Sequence, residues 1–175
     1  MDEDEAAWCR HFAQLTEPAT RHAAATALAL SGVHSGEIGH VTGAVLDLKQ
    51  QRVFAPGTSR VLPRWCCLDA WAATALRHRL ERLPDGREAL VGSGEGTDAQ
   101  RQARIGVTLR DVLTRAGLSD DPALRPSSLT AHADWRLLRK GGRIETAAQV
   151  LGMRSLDRTA ELVGYDWRPP PADAA

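Results

Sequence analysis

The side chains of this sequence that stand at spacings suited to chemistry are mostly arginines. Arg60 and Arg64 are four apart, Arg101 and Arg104 three apart, and Arg136, Arg139 and Lys140 lead into a Gly-Gly pair. Arg154 and Arg158 follow, again four apart. A guanidinium is a planar fork that bonds two oxygens of one oxyanion, so such clusters suit phosphate contacts. Other chemistries fail on spacing. His11, His22, His40 and His78 show no H-x-x-x-H or other metal-ligand spacing, and no metal is expected. Cys9, Cys66 and Cys67 form neither a disulfide framework nor a C-x-x-C pair. Gly92-Ser93-Gly94-Glu95-Gly96 invites a phosphate-loop reading, but no Gly-Lys-Ser/Thr follows, so it reads as a connector and no cofactor is expected. His132 and Arg136 stand at H-x-x-x-R spacing, where a helix with Arg136 solvated or on a phosphate backbone is the simpler account. Tyr165 is the one tyrosine.

Composition bounds the setting. A chain of 175 residues, 43% apolar and 25% charged, is one ordinary globular domain with a proper core. No apolar run approaches the roughly 18 residues that span a bilayer, so no membrane partner is expected. The acidic start Met1-Asp2-Glu3-Asp4-Glu5 has the wrong charge for a secretory signal, which leaves the cytoplasm. Net charge is zero, yet outside residues 2–5 the 22 basic residues face 18 acidic ones. Any polyanion binding must therefore rest on local clustering rather than on net charge.

The elements that must position these side chains follow from periodicity. Trp8, Phe12 and Leu15 mark a helix over 4–15, a turn at Thr16-Glu17-Pro18 opens an alanine-rich helix over 19–30, and Gly32 ends it. Residues 41–48, 52–55 and 60–62 read as three short antiparallel strands joined at Gln50-Gln51 and Pro56-Gly57-Thr58-Ser59. Cys66 and Cys67 fall at the following strand-to-helix junction, one thiol buried and one partly exposed. Helices are predicted over 68–83, ending at Pro84-Asp85-Gly86, then over 98–116 and 131–140. Ile144, Ala147, Ala148 and Leu151 mark a further short helix, and Ser155 N-caps a last one reaching Leu162. This is an α+β domain, mostly helical, with a small three-stranded sheet. It is expected to span 1–168, with residues 169–175 a disordered Pro/Ala tail.

Three stretches carry a resemblance. Leu28–Glu37, L-A-L-S-G-V-H-S-G-E, resembles the G-L-R-x-G-E segment of the tyrosine recombinase (phage integrase) catalytic domain. Leu137–Met153, L-L-R-K-G-G-R-I-E-T-A-A-Q-V-L-G-M, resembles the family's L-L-x-x-G-x-x-x-x-x-I-Q-x-L-L-G-H segment without a gap. Arg60-Val61-Leu62-Pro63 resembles the strand ending R-x-V-P. The element order is similar over roughly 6–165. The resemblance implies the recombinase catalytic-domain fold without the family's core-binding domain. It also implies where catalytic groups would stand. The position of the phosphate-gripping arginine holds His34, the H-x-x-R box falls on Ser127 to Thr130, the later His or Trp on Met153, and the nucleophile on Leu162. Tyr165 lies three residues beyond. Without the two arginines it would face an uncompensated dianionic transition state.

The expectation is thus a catalytically inactive recombinase-like protein. It would bind double-stranded DNA in a regulatory or accessory role, nucleoid-associated in the bacterial cytoplasm, and act on no small-molecule substrate. Its DNA contacts would be Arg60, Arg64, Arg101, Arg104, Arg136, Arg139, Lys140, Arg154 and Arg158, around a vestigial pocket of His34, Ser127, Thr130, Met153 and Leu162. Two alternatives stand beside it. One is a helix-turn-helix regulator built on residues 145–162. The other is a protein-interaction module on the same scaffold, with a protein partner or a second copy as its ligand.

Overall fold

The computed structural model describes residues 1–15, 19–83, 85, 88–92, 96–139 and 142–165. The predicted turn at 16–18, most of 84–86, the middle of the 92–96 connector, Lys140, Trp167 and the 169–175 tail lie outside them. Helix α1 (Glu3–Gln14) starts at Asp2, whose carboxylate accepts from the Glu5 amide while the Glu5 side chain accepts from the Asp2 amide. That reciprocal pair satisfies two amides a helix start leaves open. Helix α2 (Ala19–Leu30) is the centre of the molecule. Its residues 23–30 are all buried, and it packs against α1 and against α4 (Ala70–Glu81), α5 (Asp98–Arg115) and α6 (Pro126–Arg139). A helix apolar on every side belongs in a core, and alanines let four neighbours approach it closely. Leu28, Leu76, Leu109, Val112 and Leu129 fill the spaces between them.

The short α3 (Ser35–Ile38) packs on α5 and leads into the sheet, whose order is β1 (Leu46–Asp47), β2 (Arg52–Ala55), β3 (Arg64–Cys67). Both pairings are antiparallel, with Val53 opposite Cys66 and Phe54 opposite Trp65. The sheet is smaller than the apolar pattern of 41–48 predicts. Val41 leaves the ladder to accept from the Leu90 amide, and residues 43–45 close into a 3-10 turn. The third strand also lies further on than expected. Residues 60–62 are drawn instead to the turn after α7 (Ile144–Leu151), where the Leu62 amide donates to the Gly152 carbonyl and Val61 bridges Met153. Arg64–Cys67 then alternates inward and outward against β2, burying Arg64 and Cys66 and exposing Trp65 and Cys67. The thiols divide as expected, and burial pushes Cys66 up to about 11.

Helix α6 begins five residues before its predicted start, with Pro126 as its first residue, a position where a ring-fixed φ suits the helix and a missing N–H costs nothing. This places Ser127, Ser128 and Thr130 on helix rather than in a loop. Helices α7 and α8 (Leu156–Val163) stack on α6, with Ser155 capping α8 through the Arg158 amide. Among the described residues no helix is long and apolar enough to cross a membrane.

Candidate functional site

The Gly36-Glu37 pair and Arg64 organise the site from beneath. Glu37 is fully buried, and its Oε1 accepts from Arg64 Nη1 at 2.9 Å and from the Gly57 amide at 2.9 Å. Its Oε2 accepts from Arg64 Nη2 at 3.0 Å and from the His34 amide at 2.9 Å. Arg64 also donates from Nε to the Val150 carbonyl at 2.8 Å, from Nη1 to Leu62 and from Nη2 to Gly32. One ion pair thus ties together the end of α2, the β2–β3 loop and the end of α7. Two turns depend on glycine here. Gly152 has φ +67° and a Cβ on it would lie 2.6 Å from the Leu62 oxygen; Gly57 has φ +79° and a Cβ there would meet the Val61 oxygen at 2.7 Å. Arg64, expected to meet DNA, is therefore corrected. It is 8% exposed and its donors are committed to the interior.

Above this clamp opens a cleft of about 840 Å³, and it gathers much of the expected vestigial pocket. His34, Ser127, Met153 and Leu162 line it, with Arg60, Arg154 and Arg158 from the predicted basic set. His34 is withdrawn from the opening, since its Nε2–H donates to the Leu151 carbonyl at 2.9 Å. Burial, the larger influence, pushes its pKa below the ordinary imidazole value and outweighs the pull of that bond. Sequence reasoning missed Arg125, which stands just before Pro126 and lines the same cleft. The Leu-Arg-Pro run was the available signal, because it puts an arginine at the mouth of a helix N-terminus. None of Arg60, Arg125, Arg154 and Arg158 has an ion-pair partner among the described residues, and the cleft's one acid is Glu161.

The other predicted residues lie elsewhere. Thr130 is buried behind the cleft, its hydroxyl donating to the Val33 carbonyl at 3.3 Å, so it packs rather than lines. Arg136 is partly exposed, its side chain retaining 36% of its accessible surface. It sits 3.7 Å from Glu3 and 3.9 Å from Asp69, between the ends of α1 and α4. Arg101 bonds Asp98 and the Gly96 carbonyl at the start of α5, and Arg104 lines a separate 670 Å³ cavity with Arg21 and Arg79. Arg139 stacks over Trp135, 5.1 Å from the ring centroid. Lys140 lies outside the described residues.

The H-x-x-x-R stretch proves to be interior. His132 is 1% exposed, stacked on Trp135, with Nε2 3.5 Å from Glu3, and burial lowers its pKa. Asp134 is fully buried with neither oxygen hydrogen-bonded, and burial pushes its carboxyl up to about 7 against the pull of Arg64. Among the described residues no group of three or more His, Cys, Asp or Glu side chains is placed to hold a metal ion.

No family model matches the chain, and no curated protein is significantly similar to it. Solved structures are. The crystal structure of XerA recombinase superposes with a TM-score of 0.76 at 22% identity, over 95% of this chain and 60% of that one. The Tn1549 transposon integrase in complex with circular intermediate DNA gives 0.64 at 14% identity, over 93% and 61%. The same integrase in complex with transposon right end DNA gives 0.65 at 12% identity, over 93% and 60%. The chain therefore spans about 60% of the length of the structures it resembles. The expected architecture is the one it adopts: a mostly helical recombinase catalytic-domain-like fold with a small three-stranded antiparallel sheet.

Proposed function

We propose that this protein binds double-stranded DNA through the arginine-lined cleft, in an accessory or regulatory role, without breaking the phosphodiester backbone. The observation that carries the reading is the set of four guanidiniums, Arg60, Arg125, Arg154 and Arg158, gathered at one opening with no acidic partners of their own. Paired arginines elsewhere are already neutralised; these are free to meet phosphate oxygens in bidentate fashion. The Tn1549 integrase of the same fold is held on DNA in its solved structures, which supports duplex DNA as the ligand class. The absence of cutting rests on the lining itself. Among the described residues the cleft holds no lysine or tyrosine, and the imidazole of His34 is bonded to Leu151 with its pKa lowered by burial. A phosphorane forming there would have cations and serine hydroxyls, but among the described lining residues no tyrosine to attack and no lysine to move a proton.

The helix-turn-helix alternative draws less support, because the start of α8 lines the cleft together with α6 and the β2–β3 loop instead of standing alone as a recognition helix. Residues 1–168 act in this as one domain. The test is a titration against labelled duplex at low and rising salt, beside an Arg154→Ala/Arg158→Ala variant. Binding that falls with salt and weakens by about tenfold or more in the variant is the expected result. Failure to bind duplex at low salt would sink the proposal.

A further inference from the structure

The cleft carries more positive charge than one internal phosphodiester uses. Among the described residues four guanidiniums share it with a single carboxylate, Glu161. Two helix starts add to them: α6 presents Ser127 and Ser128 of its first turn to the opening, and α8 presents its N-cap Ser155. The helix dipole favours an anion at both places, with Asp157 of the first turn of α8 opposing it there. A backbone diester has one charge, and its neighbours along a duplex lie outward along the groove rather than deeper in a cavity.

The floor is of a different kind. Val61, Met153 and Leu162 form an apolar wall, the last two at the positions where the resemblance places proton-transfer and nucleophilic groups. Stacked duplex DNA presents sugar and phosphate to such a cleft and has nothing to lay on that wall. The volume, about 840 Å³, suits a small molecule with both an apolar body and anionic groups. The four arginines are without ion-pair partners, so a ligand need break no ion pair to reach them.

We propose that the cleft is a nucleotide site: a nucleoside di- or triphosphate binds with its phosphates on Arg60, Arg125, Arg154 and Arg158 and its base and sugar against Val61, Met153 and Leu162. Sharing the same arginines, it competes with DNA backbone. This goes beyond the DNA reading and does not depend on it, since each ligand can bind where the other fails.

The experiment is a calorimetric titration with ATP, GTP, CTP and UTP, beside inorganic triphosphate and a single-stranded oligonucleotide bearing a 5′-phosphate. The last probe supplies the same chemistry from a DNA end. At least one free nucleotide is expected to bind about tenfold or more tightly than inorganic triphosphate, because only the nucleotide covers the apolar wall. Arg125→Ala and Arg158→Ala, both exposed in the free protein, should each weaken it by about tenfold while leaving the thermal unfolding midpoint in place. Leu162→Glu should abolish nucleotide binding; Leu162→Met, which keeps the wall apolar, should retain it. No binding of any free nucleotide at about 1 mM would overturn the inference. So would equal affinity for inorganic triphosphate, or binding of the oligonucleotide alone. Duplex binding that persists without nucleotide binding leaves the DNA reading standing, and nucleotide binding without duplex binding removes the DNA reading only.

Discussion

Arg64 is 8% exposed and directs every donor nitrogen at a protein acceptor, whereas Arg158 is exposed at the cleft with no ion-pair partner for its guanidinium among the described residues. Their sequence surroundings are alike, each an arginine among apolar and polar residues near a helix or strand start. The difference lies in which carboxylate reaches them. Glu37 comes from 27 residues away and closes on Arg64 in the interior; Glu161 shares the cleft with Arg158 but forms no ion pair with it. A guanidinium taken from water must be fully bonded, while one left in water is available to a ligand. Asp134 sharpens the contrast from the other side, being buried like Glu37 but unbonded.

The largest effect expected from this contrast is on stability. Arg64→Ala leaves Glu37 charged and buried, and should cost about 3–5 kcal/mol in urea unfolding, enough to unfold a marginal domain. A loss comparable to that of Arg158→Ala would break the comparison.

Asp134 should give the next largest. Its folded carboxyl is raised to about 7, while the unfolded chain releases the proton near the usual carboxylate value of about 3.9. Between those values the native state holds the extra proton, so stability falls as pH rises from about 4 to about 7 and the deficit is full above that. The loss should be on the order of 2–4 kcal/mol, and Asp134→Asn should flatten it. Urea midpoints measured across that range for both proteins check this; parallel curves would count against a buried, unbonded carboxyl.

Cleft substitutions should leave folding alone. Arg125→Ala or Arg60→Ala should shift unfolding by no more than about 0.5 kcal/mol, yet reduce the salt dependence of duplex affinity by about one phosphate contact each. Filter-binding isotherms at several salt concentrations give that slope. The smallest effect belongs to Arg136→Ala. Its side chain already lies between Glu3 and Asp69, so duplex affinity should stay within about twofold and stability within about 1 kcal/mol. A tenfold loss of affinity would move the interface away from the cleft.

The legible parts of this chain were those where local pattern and tertiary demand agree. Helix α2 was found at its bounds because alanine-rich sequence is helical and buried alike, and α7 because its apolar spacing faces one side. Strand β3 was misplaced because its inward face includes an arginine, which only Glu37 makes tolerable there. The early start of α6 was missed because Pro-Ser-Ser reads as a loop until it begins a helix, and Arg125 went unnoticed with it. Of the expected vestigial pocket, His34, Ser127, Met153 and Leu162 do meet in one cleft, while Thr130 packs behind it.

Residue type and spacing by themselves determined the helical α+β class and the sheet's strand count. The tertiary structure alone decided which arginines are structural, which are neutralised at the surface and which remain open to an anion. An arginine's role depends on whether a carboxylate from a distant segment reaches it and whether water does. Those are properties of the packed chain, set by contacts between residues that the sequence keeps far apart.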